Sequence, residues 1–132
     1  MFRRGSVRHR SAAAEPTPPL PLQPSRRLSG AAWTTWVSVQ QDSASLQGAE
    51  ALPRFASTPN VTRHFYPRCG THVFTHDARM PHILGIPAGL FPAESMPAAR
   101  GHYFVSDKAS WATLPPNQPC FGGDTGMTPL PP

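Results

Sequence analysis

Short runs of alternating apolar and polar residues fill the middle of the chain, from Trp33 to Trp111, and no run keeps a 3.6-residue period. That pattern predicts strands rather than helices. Trp33–Val39 is rich in aromatic and β-branched residues and reads as a strand. Arg54–Ser57 leads into turn chemistry at Thr58-Pro59-Asn60, and Val61–Tyr66 is the next strand. Pro67-Arg68-Cys69-Gly70 reads as a tight turn in which Gly70 takes a positive φ. Thr71–His76 alternates as a strand, with Val73 on one face and His72, Phe74 and His76 on the other. His82–Pro87 is an apolar strand, and Gly101–Ser106 is the last one expected. Asp107–Trp111 reads as a turn, and the stretch from Leu114 onward as irregular. The fold class expected is mainly β.

Composition adds a division of the chain. Of 132 residues, 18 are Pro, and most lie in 11–24 and 113–132, outside the alternating middle. Pro16, Pro18, Pro19, Pro21 and Pro24 favour an extended backbone and remove amide donors. Residues 1–24 are therefore expected to be a disordered leader, 25–123 the folded domain and 124–132 an irregular tail. The formal net charge of +5 is also local: six arginines among residues 1–30 face only Glu15, and the rest of the chain is balanced. The high isoelectric point thus describes the leader and not a face of the fold. No recognition helix, heptad or aromatic interleaving points to a specific nucleic-acid partner or sets an oligomeric state. No apolar run approaches the roughly 18 residues of a membrane span. Cysteines at 69 and 120 alone make no disulfide framework, so a reducing, cytoplasmic setting is expected.

The stretch His64–His76 carries three of the six histidines and one of the two cysteines. Cys69-x-x-His72 has a metal-ligand spacing, with His64 and His76 close in sequence. On an extended strand, however, His72 and His76 stand about 13 Å apart and do not share one ion. Cys69 beside a histidine also has the residue types of a thiol nucleophile, but nothing in the sequence orients the pair. No G-x-S-x-G elbow, phosphate-binding loop or carboxylate dyad is present.

Several segments taken together resemble one family. They are Arg26-Arg27-Leu28-Ser29-Gly30, Phe55-Ala56-Ser57, and Val61-Thr62-Arg63-His64-Phe65-Tyr66-Pro67-Arg68-Cys69-Gly70-Thr71. Ile86-Pro87-Ala88-Gly89-Leu90 and Gly101–Trp111 continue the likeness, which covers about residues 25–123. The chain resembles the glutathione-dependent formaldehyde-activating family, also called the centromere-protein-V/GFA domain. The resemblance implies a small zinc-type β-tent fold of antiparallel sheets. It also implies carbon–sulfur lyase chemistry on S-hydroxymethylglutathione, the adduct of glutathione and formaldehyde. The partner implied is a small-molecule thiol, and the cofactor implied is zinc.

The family's zinc ligands are cysteines in C-x-C-G, C-H-C-x-x-C and C-x-x-C-G segments. Here Cys69 matches the second cysteine of the last pair, and Tyr66 stands at its partner position. The C-H-C-x-x-C positions fall on Leu20, Leu22 and Ser25, and the earliest pair falls loosely on Val7 and His9. Cys69 is the one metal-site residue assigned, and no residue is assigned a catalytic or cofactor-binding role. A lone thiolate does not hold a structural ion, so the chain is expected to bind no stoichiometric zinc. Two functions stay open: a lyase of the glutathione–formaldehyde type, or a non-catalytic relative that binds a small thiol or a protein.

Overall fold

The computed structural model describes residues 22–132, so residues 1–21 of the expected leader, with Leu20, Val7 and His9, lie outside the described residues, while residues 22–24, expected to belong to that leader, are helical. The described chain is mainly β, and its two compact units are taken in turn.

The first unit contains Trp36–Leu90 and is built on one five-stranded antiparallel sheet. Its strands are β1 (Trp36–Gln40), β2 (Arg54–Thr58), β3 (Val61–Phe65), β4 (His72–Asp77) and β5 (Ile83–Pro87). They lie in the order β1-β5-β4-β3-β2. Strands β2 to β5 form a meander, as short turn-separated strands tend to do. β1 pairs with β5 at the far edge, with Ser38 opposite Gly85 and Val37 opposite Ile86. One face carries Val37, Val39, Leu84, Ile86 and Phe74, all buried and alternating along their strands. The core alternation expected from the sequence is present there.

The other face is different in kind. The register places Ser38, Gly85, Thr75, Arg63 and Phe55 in one row across the sheet. Arg63 and Thr75 are buried there, which makes this a polar underside. Gly85 leaves room in it: an added Cβ would lie 3.6 Å from the Trp36 ring and 3.8 Å from the Thr75 Cβ, ordinary contact distances. Gly85→Ala is therefore expected to fit, and to raise stability by about 0.5 kcal/mol through lower entropy of the unfolded chain. A urea-unfolding midpoint below that of the parent would contradict this.

Two irregularities interrupt the ladders. Between β2 and β3 the register passes from Ala56↔Thr62 to Thr58↔Val61, leaving Ser57 unmatched. Between β3 and β4 it passes from His64↔Phe74 to Phe65↔His72, leaving Val73 unmatched.

The second unit contains residues 91–132 together with a helix, α1 (Leu22–Ser29). The sequence pattern does not predict this helix. Pro24 sits in its first turn, where no intrahelical N–H is required, so proline there is compatible with a helix. Ser29 closes it by donating its hydroxyl to the Ser25 carbonyl at 2.8 Å. The expected strand Gly101–Ser106 is not formed. His102 makes an isolated bridge with Cys120, Phe104 adopts a φ of 54°, and Val105–Asp107 coils into a 3-10 turn. The tail expected to be irregular instead contributes a small antiparallel pair, β6 (Phe121–Gly122) and β7 (Thr128–Pro129). Phe121 stacks on Tyr103 with ring centroids 4.8 Å apart. No helix among the described residues is long and apolar enough to cross a membrane.

Candidate functional site

Residues 66–71 form the turn between β3 and β4. The Gly70 N–H donates to the Tyr66 carbonyl, and the Tyr66 N–H donates to the Thr71 carbonyl, both at 2.8 Å. Gly70 has a φ of +71°, the left-handed value expected of it from the sequence. This closed turn holds Cys69 at its exposed tip, with Sγ 3.0 Å from the Thr71 hydroxyl. Hydrogen bonding from the Thr71 side chain and backbone favours the thiolate and holds the Cys69 pKa below its ordinary value. The assigned residue is thus a solvent-open thiol on a closed turn.

The turn hangs from a polar cluster on the sheet's underside. Arg63 on β3 is 1 % exposed; its Nε donates to Ser57 Oγ at 3.2 Å, and its guanidinium carbon lies 5.6 Å from the Trp36 ring centroid. Burial pulls the Arg63 pKa down. His72 stands beside it. Its ring meets Trp36 edge-on at 5.1 Å and Phe65 at 5.1 Å, and its Nε2 lies 2.9 Å from Thr75 Oγ1 and 3.2 Å from the Phe74 carbonyl.

This placement corrects the sequence reading of β4. Regular alternation puts His72 with Phe74 and His76, opposite Thr75. The unmatched Val73 shifts the phase, so the His72 ring joins Thr75 and Trp36. Burial, with the Arg63 charge next in importance, lowers the His72 pKa to about 4.

His64 stays on the other face. It stacks on Phe74 with centroids 4.1 Å apart, and its Nδ1 is buried with no hydrogen-bond partner. Burial, then the charges of Arg54 and His76, lowers its pKa. The structure therefore separates the histidines of the 64–76 stretch onto two faces and leaves Cys69 apart from them in a turn of its own.

The donor set does not fit a tetrahedral zinc site. Cys69 is the sole thiol of its turn, Tyr66 occupies the matching position, and Ser25 is buried in α1 with its backbone engaged by Ser29. Cys120 belongs to the second unit, its Sγ 3.7 Å from the Gln118 carbonyl. Among the described residues, no three His, Cys, Asp or Glu side chains converge as a metal site.

Sequence reasoning missed Arg63 and Ser57 as a pair. Arg63 stood inside the family-like motif, but nothing in an alternating strand signals that a cation will be buried. Lys108, in the late family-like block, serves the local structure. Its Nζ donates to the carbonyls of Ala112 at 2.7 Å and Ala109 at 3.2 Å and closes the turn around Trp111.

A family model described as glutathione-dependent formaldehyde-activating enzyme matches residues 23–107, which take in nearly all of α1, the whole five-stranded sheet and the Cys69 turn. No curated protein and no solved structure matches the chain. With the match covering well over half of the chain, this protein belongs to the glutathione-dependent formaldehyde-activating family.

Proposed function

We propose that the protein acts on glutathione–formaldehyde adducts of the S-hydroxymethylglutathione type, as a carbon–sulfur lyase of its family. The observation that carries this reading is the family match over residues 23–107, which includes the turn presenting Cys69. In the adduct-forming direction the glutathione sulfur bonds to the formaldehyde carbon, and the thiol proton passes to the carbonyl oxygen. The lyase direction reverses both transfers. The acting domain in this reading is residues 25–123, with 1–24 as leader and 124–132 as tail. The setting is the cytoplasm, a proposal supported by the free thiols of Cys69 and Cys120.

A second reading is favoured by the ligand positions: a non-catalytic relative that binds a small thiol or a protein partner. One experiment separates the two. Purified full-length protein is mixed with glutathione and formaldehyde, with and without added zinc, and adduct formation is followed. A rate above the uncatalysed condensation supports the lyase. A rate equal to it, together with saturable glutathione binding by calorimetry, supports the binding protein.

Zinc content is a separate expectation. With Tyr66 and Ser25 at family cysteine positions, protein treated with a mild chelator is expected to retain far less than one zinc per chain. Elemental analysis giving one tightly held zinc per chain would overturn it.

A further inference from the structure

We propose that the β3–β4 ladder is an acid-releasable clasp: His64 and His72 grip its two faces beside the Val73 bulge, and protonating them frees the Cys69 turn. The argument begins with position. His64 is paired with Phe74 and His72 with Phe65, the two pairs that bracket the register shift. The ladder is weakest there, because a bulge leaves one residue unpaired. The six residues between the two strands, 66–71, are the turn itself. Losing either grip therefore loosens the turn first.

Both rings are built in as neutral groups. His72 lies against Trp36 and Phe65, and its Nε2 serves Thr75 and the Phe74 carbonyl. His64 lies flat on Phe74 with its Nδ1 buried and without a hydrogen-bond partner, and the backbone hydrogen bond to Phe74 that favours the charged ring is outweighed by burial and by the Arg54 and His76 charges.

Charged groups on β2, β3 and β4 oppose protonation. β2 contributes Arg54 and β4 contributes His76 against His64, and β3 contributes Arg63 and His64 against His72. β1 presents only the Trp36 ring, and β5 has no titratable residue. The carboxylate on these strands, Asp77, has both oxygens held by Arg79, at 2.9 Å from Nε and 2.6 Å from Nη2. It is not available to neutralise a new imidazolium.

The sign follows from linkage. The folded chain holds these rings neutral to lower pH than the unfolded chain does, His72 to about 4 against an ordinary 6.5. Stability is complete above pH 6.5 and is lost as pH falls from there toward 4.

The test is amide hydrogen exchange of the full-length protein at pH 7 and pH 5, corrected for intrinsic rates. Peptides covering 61–77 are expected to lose about tenfold in protection. A ladder whose protection is the same at both values overturns the proposal. In the double variant His64→Gln/His72→Gln the pH dependence of those peptides is expected to vanish; if it persists, the clasp is refuted. Should that variant fail to fold, proton NMR titration of the parent histidines decides. A His72 that stays neutral toward pH about 4, with the His64 midpoint also below the ordinary 6.5, supports the clasp, and ordinary midpoints for both overturn it.

Discussion

Arg63→Ala is expected to lower stability by about 3–4 kcal/mol, a large part of the margin of a domain this size. Arg63 is 1 % exposed, so truncation leaves a cavity beneath Trp36 and removes the donor to Ser57 Oγ. The informative comparison is Arg63→Met. Methionine keeps most of the stem's volume and removes a cation whose pKa burial already depresses. Replacing a desolvated charge with an apolar side chain of similar size is often neutral, so its cost is expected to stay below about 1.5 kcal/mol. Urea unfolding at pH 7 measures both variants. If methionine is as costly as alanine, the guanidinium's polar contacts, and not its packing, hold the underside together.

Gly126→Ala is expected to cost about 3 kcal/mol, for two separable reasons. Gly126 has a φ of +70°, where an L side chain loses about 1–2 kcal/mol. An added Cβ would also overlap the Phe104 ring, which is buried and itself held at a φ of 54°. Overpacking of that kind adds about 1–3 kcal/mol. The backbone offers little relief, because the Phe104 N–H donates to the Gly126 carbonyl at 3.1 Å. Gly70→Ala serves as the control: it has a similar φ of +71° and nothing within 4 Å of an added Cβ. The difference between the two thermal-unfolding shifts isolates the clash. Equal shifts would show that the Phe104 ring moves aside without cost.

The central strands are legible in the sequence because alternation and β-branched content act locally. β3, β4 and β5 fall within a residue or so of the runs read from Val61, Thr71 and His82. The Gly70 turn is legible for the same reason. What escapes is anything decided by tertiary contact. Gly101–Ser106 has strand composition, yet Phe104 turns its backbone left-handed against Gly126. Phe121–Gly122 sits among prolines and still pairs, because Ser106 and Thr128 lie beside it. α1 is hidden by a proline that reads as a breaker but lies in the one turn tolerating it. At the candidate site, Cys69 can be named from spacing and Tyr66 from the family resemblance. The burial of Arg63 cannot, since no local property of a strand marks which cation will be covered.

Val73 has a consequence for how this segment tolerates change in length. A regular strand carries one parity from end to end, so removing a residue inverts every side chain on one side of the gap. Val73 is the exception, since it already stands outside the ladder. Without it His72 would directly precede Phe74, the two on opposite faces, as they now stand. Removing Thr75 instead would set Phe74 and His76 against opposite faces and break the packed side of the sheet. β4 is thus two spliced halves joined by a spacer: Phe74–Asp77 answers to the packed sheet, and His72 to the turn that carries Cys69.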